Sequence, residues 1–236
     1  MNLSLEWMLQ LSIILPMLAT LAIVATGRNP NLREAVTISA CLMLFYCEIN
    51  LYQGLIDGET ISVFWWELLP GLQVSFAIEP LGMLFALIAS FLWLITTIYA
   101  IGYMRNHQEV NQTRFYACFA IAISAVMGIA FSANLFTLFI FYEVLTLSTY
   151  PLVTHAGTED AKKGGRIYLG ILLSTSIVFF LLAIVSTWFV AGTLDFKPGG
   201  VFDANVDKTL VGVILALFIF GIGKAAIMPF HRWLPA

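Results

Sequence analysis

Long apolar runs, interrupted by short clusters of charge and by Gly or Pro, set the pattern of this chain. Their lengths predict helices at about 5–26, 34–56, 78–102, 114–131, 134–154, 166–191 and 209–228, each able to cross a hydrocarbon core roughly 30 Å thick. Such helices satisfy every backbone group in lipid without help from a neighbouring segment. The pattern reads as an all-α, polytopic transmembrane bundle of about seven spanning helices. The apolar stretch Leu11–Ala25 has no basic leader before it and no A-x-A cleavage pattern, so a first spanning helix is expected there. Between the second and third helices, Ile61–Ile78 is rich in β-branched and aromatic residues around Pro70-Gly71. A short hairpin is expected within the 57–78 connection, at the outer interface, with Trp65 and Trp66 as belt residues. Ala120, Ser124, Gly128 and Ser132 recur every four residues on the fourth helix, a small-residue stripe that lets another helix come close.

Composition supports the same solvent. Apolar residues make up 60% of the chain and charged residues 11%, against roughly a quarter charged in soluble domains. So little charge cannot cover the surface in water. The net charge of −3 points to no nucleic-acid partner. Cys41, Cys47 and Cys118 lie in apolar segments at no metal or disulfide spacing, and are expected to be small buried hydrophobes. The sequence carries no Gly-rich phosphate loop, metal-ligand cluster, nucleophile–base pair or short internal repeat. No bound cofactor is expected, and no catalysis by the chain on its own.

Loop charges predict orientation. Arg28 and Arg33, Arg105 and Arg114, and Lys162, Lys163 and Arg166 fall in the odd loops, whereas Lys197 and Lys208 are the basic residues of the even ones. Seven against two places the odd loops in the cytoplasm and the amino terminus outside.

Two ionisable residues break the apolar pattern. Glu143 lies near the middle of the fifth helix, where an acid costs about 2.5 kcal/mol or more unless a partner or watery cavity offsets it. Thr146 and Tyr150 follow it on the same helical face. Lys224 lies about 20 Å along the seventh helix, counted at about 1.5 Å per residue. Gly221 and Gly223 remove bulk beside it, and Pro229 cannot donate to the carbonyl of Ala225. The helix is therefore expected to break just after Lys224, leaving free carbonyls beside the amine. Snorkelling is the ordinary alternative for the lysine, and a protonated structural carboxyl for the glutamate. Desolvation favours the neutral form of each group and mutual attraction favours both charges, so a facing pair could exchange a proton. Weaker candidates are Glu48, expected to snorkel or cap towards the outer third of its helix, and His155, expected at the surface. Glu79 is read as the interfacial start of the third helix, and Glu67 as part of the hairpin.

The segments Phe141-Tyr-Glu143-Val-Leu-Thr-Leu-Ser-Thr-Tyr-Pro151 and Gly221-Ile-Gly-Lys224-Ala-Ala-Ile-Met-Pro229-Phe-His-Arg-Trp-Leu-Pro235 resemble the antiporter-like membrane subunits. These are shared by respiratory complex I, the Mrp cation/proton antiporters and membrane-bound hydrogenases, with the D-type Mrp component the nearest in pattern. The resemblance follows the order of helices along the whole chain. It implies about fourteen helices in a full subunit, with two inverted five-helix repeats. It implies a proton-handling pair in Glu143 and Lys224, partner membrane subunits, and protons, with sodium open, as the transported ions. Residues 1–112 would then be peripheral helices, and 113–236 an incomplete antiporter repeat of the amino-terminal half. The rival readings are an energy-coupling subunit of a bicarbonate-uptake complex and a structural subunit that only docks partners.

Overall fold

The structure, a computed structural model, describes residues 4–69 and 71–234. In chain order it has α1 (Leu5–Ala25), α2 (Pro30–Ile56), β1 (Ser62–Leu69), β2 (Leu72–Ala77), α3 (Pro80–Asn106), α4 (Gln112–Ala130) and α5 (Leu135–Val153). Then come α6 (Glu159–Thr175), a π-helical turn (Ser176–Phe180), α7 (Leu181–Ala191), α8 (Lys208–Gly221) and a 3-10 turn (Gly223–Ala225). Among the described residues six helices are long and apolar enough to cross a membrane, with α6, the π turn and α7 counted as one rod. The shorter apolar α8 joins them.

Helix starts follow local chemistry. Asn29 caps α2, its Oδ1 accepting from the Leu32 amide at 3.4 Å, and Pro30 opens the helix. The same arrangement of an extended residue before proline, Glu79-Pro80, opens α3. Thr158 caps α6 by accepting from Ala161 at 3.1 Å. Both α2 and α6 begin earlier than the apolar runs suggest, because their first turns carry charge.

The chain packs as two units. The first runs to Phe64 and resumes over Ser75–Ser132; the second takes Trp65–Val74 and the described residues from Ala133. In the first, α1 to α4 form a bundle around Leu9, Ile13, Leu44, Met83, Trp93 and Met127. The small stripe of α4 does receive a neighbour. Ser124 donates to the Ile13 carbonyl at 2.6 Å and Thr20 to Ala117 O at 3.4 Å, so α1 lies on α4. The packing boundary thus falls after α4.

Where α2, α3 and α4 meet, Arg33 departs from expectation. It belongs to the first turn of α2 and is 4% exposed, so it is no loop charge. Its guanidinium donates to Gln112 Oε1 at 2.8 Å, Thr113 Oγ1 at 3.2 Å and Glu34 Oε1 at 3.4 Å. Arg105 takes the same carboxylate, through Nε to Oε1 at 3.0 Å and Nη2 to Oε2 at 2.5 Å. A buried cation needs such a partner, and Glu34 supplies it.

The hairpin expected over 57–78 is present as β1 paired with β2. Gly71 takes the left-handed φ of 83° in its turn, and its amide donates to Glu67 Oε1 at 3.0 Å. Pro70, the other residue of the expected turn, lies outside the described residues, as does Pro235 of the terminal motif. Trp66 is exposed, and Trp65 packs edge-on to Phe141 within the second unit.

Candidate functional site

The second unit brings α5 and the interrupted α8 together. Asn134 fixes the start of α5 by accepting from the Thr137 amide at 2.8 Å. One helical turn apart on that helix, Tyr142 and Thr146 share a face and are both buried, Thr146 completely.

α8 ends at Gly221, and Ile222 leaves the helical region with φ −80° and ψ 66°. Lys224 sits in the 3-10 turn that follows, and Ala226 is left-handed at φ 52°. The interruption therefore precedes Lys224, which corrects the expectation of a break just after it. Pro229 lies exposed in the turns beyond the break. The cause lies in the two glycines. A Cβ on Gly221 would come within 2.5 Å of the Phe180 amide nitrogen, and one on Gly223 would strike Thr175 Oγ1. Such approach lets the chain run against the π turn, Ser176–Phe180, a helical irregularity frequent at functional sites. Beyond the break, Trp233 Nε1 donates to Gly223 O at 3.0 Å, and its ring meets Tyr168 at 5.6 Å. Tyr168 in turn shares a 2.6 Å hydrogen bond with Thr149 of α5.

The lysine does not snorkel. Its amine donates to Tyr142 O at 3.2 Å and, through a short contact, to Thr146 Oγ1. It also stands 3.6 Å from the centre of the Tyr142 ring, a cation–π contact. Thr146 donates its own hydroxyl to Tyr142 O at 2.9 Å, leaving its oxygen free to accept from the amine. Tyr142 Oη accepts the Lys224 backbone amide at 3.2 Å, so an amide freed by the break is satisfied. The acceptors beside the amine thus come from α5, where freed carbonyls of its own helix were expected.

Glu143 is half-buried, and its Oε1 is buried with no hydrogen-bond partner among the described residues. It forms no direct ion pair with the lysine. The other candidates lie elsewhere. Tyr150 packs its ring on Gly165 of α6, and its carbonyl accepts from Thr154 Oγ1 at 3.0 Å. His155 sits half-buried in the turn after α5, its amide on Leu152 O at 3.1 Å. Glu48 belongs to the first unit. It is wholly buried, so it neither snorkels nor caps: its position on the inner face of α2 denies it water. Tyr142 escaped the sequence reading because an aromatic in an apolar helix reads as packing; its place four residues before Thr146 was the available signal.

Comparison with known proteins follows the same helices. Residues 132–236 match the family described as NADH:quinone oxidoreductase/Mrp antiporter, transmembrane. Residues 69–116 match that of the amino terminus of complex I chain 5. NADH-quinone oxidoreductase subunit N of Desulforudis audaxviator is 27% identical over 87% of this chain and 41% of its own. A protein of Staphylococcus haemolyticus named as an antiporter subunit, mnhD2, is 25% identical over 97% and 45%. The solved Mrp complex from Dietzia sp. contains a chain of the same fold, with a TM-score of 0.80 at 22% identity, covering 98% of this chain and 43% of that one. The chain spans less than half the length of each of these.

Proposed function

Since the chain belongs to the antiporter-like membrane-subunit family of NADH:quinone oxidoreductases and Mrp antiporters, we propose that it moves protons within such an assembly, through Lys224 and Glu143. The observation that supports this most is the seat of Lys224. An amine inside an apolar bundle is held by Thr146 Oγ1 and Tyr142 O, on the helix that carries Glu143. Moving one proton from the amine to the carboxylate turns two charges into two neutral groups, and the reverse step restores them. In a low-dielectric site the balance between those states responds strongly to any third charge nearby. The proton would travel between the two groups by rotation of the flexible lysine stem or through intervening water.

In this reading residues 113–236 form part of one antiporter repeat, with further membrane subunits as partners. Cation exchange, with sodium as the counter-ion, is its finer form, supported by the antiporter-named relative. The loop-charge bias supports an inner-membrane protein with its amino terminus outside. Proton flux into vesicles holding the complete assembly tests the proposal. Lys224→Ala should lower the flux at least tenfold while the assembly stays intact. Parental flux in that variant would leave the chain a docking subunit.

A further inference from the structure

One buried acid takes no part in the Lys224 site. Glu48 on α2 is 0% exposed, and both its carboxylate oxygens are buried with no hydrogen-bond partner among the described residues. Ser12 of α1 lies beside it. The contacts Glu34–Arg105, Cys41–Thr97 and Phe45–Phe91 show α2 and α3 running antiparallel. Continuing that register puts Ser90 of α3 level with Glu48. Ser124 of α4 reaches the carbonyl of Ile13, next to Ser12, and so belongs to the same level. Ser12, Glu48, Ser90 and Ser124 are each 0% exposed, one from every helix of this unit.

The chemistry of that layer selects a protonation state. Ser12 donates to Met8 O at 3.0 Å, Ser90 to Leu87 O at 3.0 Å and Ser124 to Ile13 O at 2.6 Å. Each of these hydroxyls lies on a backbone carbonyl, and none makes a hydrogen bond to the Glu48 carboxyl. With neither oxygen hydrogen-bonded, little here offsets the cost of burying a carboxylate's charge, and the neutral carboxylic acid loses far less on burial. Among the described residues of these helices, no cation compensates a charge either. Glu6, Arg33, Glu34, Arg105 and Arg114 sit near the helix ends, and both Arg33 and Arg105 are engaged by Glu34. An isolated carboxylate in such surroundings is too costly to hold.

We propose that Glu48 is a second proton-binding site, whose ligand is a proton held as a carboxylic acid in the serine layer. On release the O–H bond breaks, the proton passes to water and the carboxylate remains. The site is independent of Lys224 and Glu143.

Infrared difference spectroscopy on the whole chain in lipid vesicles, with D₂O exchange to mark acid protons, reads this directly. The parent minus Glu48→Gln spectrum should show the C=O stretch of one carboxylic acid per chain at neutral pH. That band should vanish in alkaline buffer, return on reversal, and survive in a Glu143→Gln background. Glu48→Met, which needs no hydrogen-bond partner, serves as the reference where Glu48→Gln fails to insert. A parent without a Glu48-dependent acid band, or with one that ignores alkaline titration, would overturn the proposal.

Discussion

Thr146 is the side chain that decides whether Lys224 keeps its place. It accepts from the amine and is wholly buried, so nothing from solvent can replace it. A hydrogen bond to a charged group is worth about 1.5–3 kcal/mol, roughly a 10- to 100-fold change in how often the amine is seated. Thr146→Val should therefore lower coupled proton flux by about that factor, and Thr146→Ser, which restores the hydroxyl, should recover it. Glu34 carries a different burden. Glu34→Gln leaves Arg33 buried without its counter-charge, a loss of about 3 kcal/mol or slightly more, read as a lower unfolding midpoint of the purified chain. At this scale the sequence exposed what stands out by type. Glu143 and Lys224 interrupt apolar runs, and Thr146 follows Glu143 at helical spacing. Glu48, Arg33 and Glu34 were hidden because burial depends on which face of α2 meets its neighbours, and that is fixed only by packing.

The break in α8 belongs to the scale of elements. Two glycines, one residue apart, let the chain press on the π turn, and their replacement should be felt as overpacking. Gly221→Ala and Gly223→Ala are expected to cost about 1–3 kcal/mol each, whereas Gly212→Ala, which meets open space on the same helix, should not destabilise. Unfolding midpoints of the three variants test this together; equal midpoints would remove the glycines as the cause of the interruption. The sequence foresaw that the helix breaks but located it by its proline, the strongest local rule. Pro229 acts on the backbone around Ala225, while the observed exit at Ile222 is set by tertiary contact with Phe180 and Thr175. The π turn itself had no signature in the residues, since Ser176–Phe180 reads as ordinary apolar helix.

For the whole molecule, run length alone gave the succession of helices and the hairpin, because lipid leaves so few backbone solutions. Orientation remains a matter of charge. A cysteine at position 162, in an otherwise cysteine-free chain, should resist membrane-impermeant labelling from outside intact cells, and one at position 59 should accept it. Labelling at 162 would reverse the proposed topology. In the proposed function Lys224 and Glu143 act as one unit in moving protons. The most direct test is proton flux in vesicles carrying the complete assembly, compared among Lys224→Ala, Glu143→Gln and the double variant. Groups that share one proton are not additive: once either is gone the other has nothing left to do. Each single variant should fall at least tenfold, with the double no lower than the worse single. Losses that multiply, or parental flux in either single variant, would contradict it.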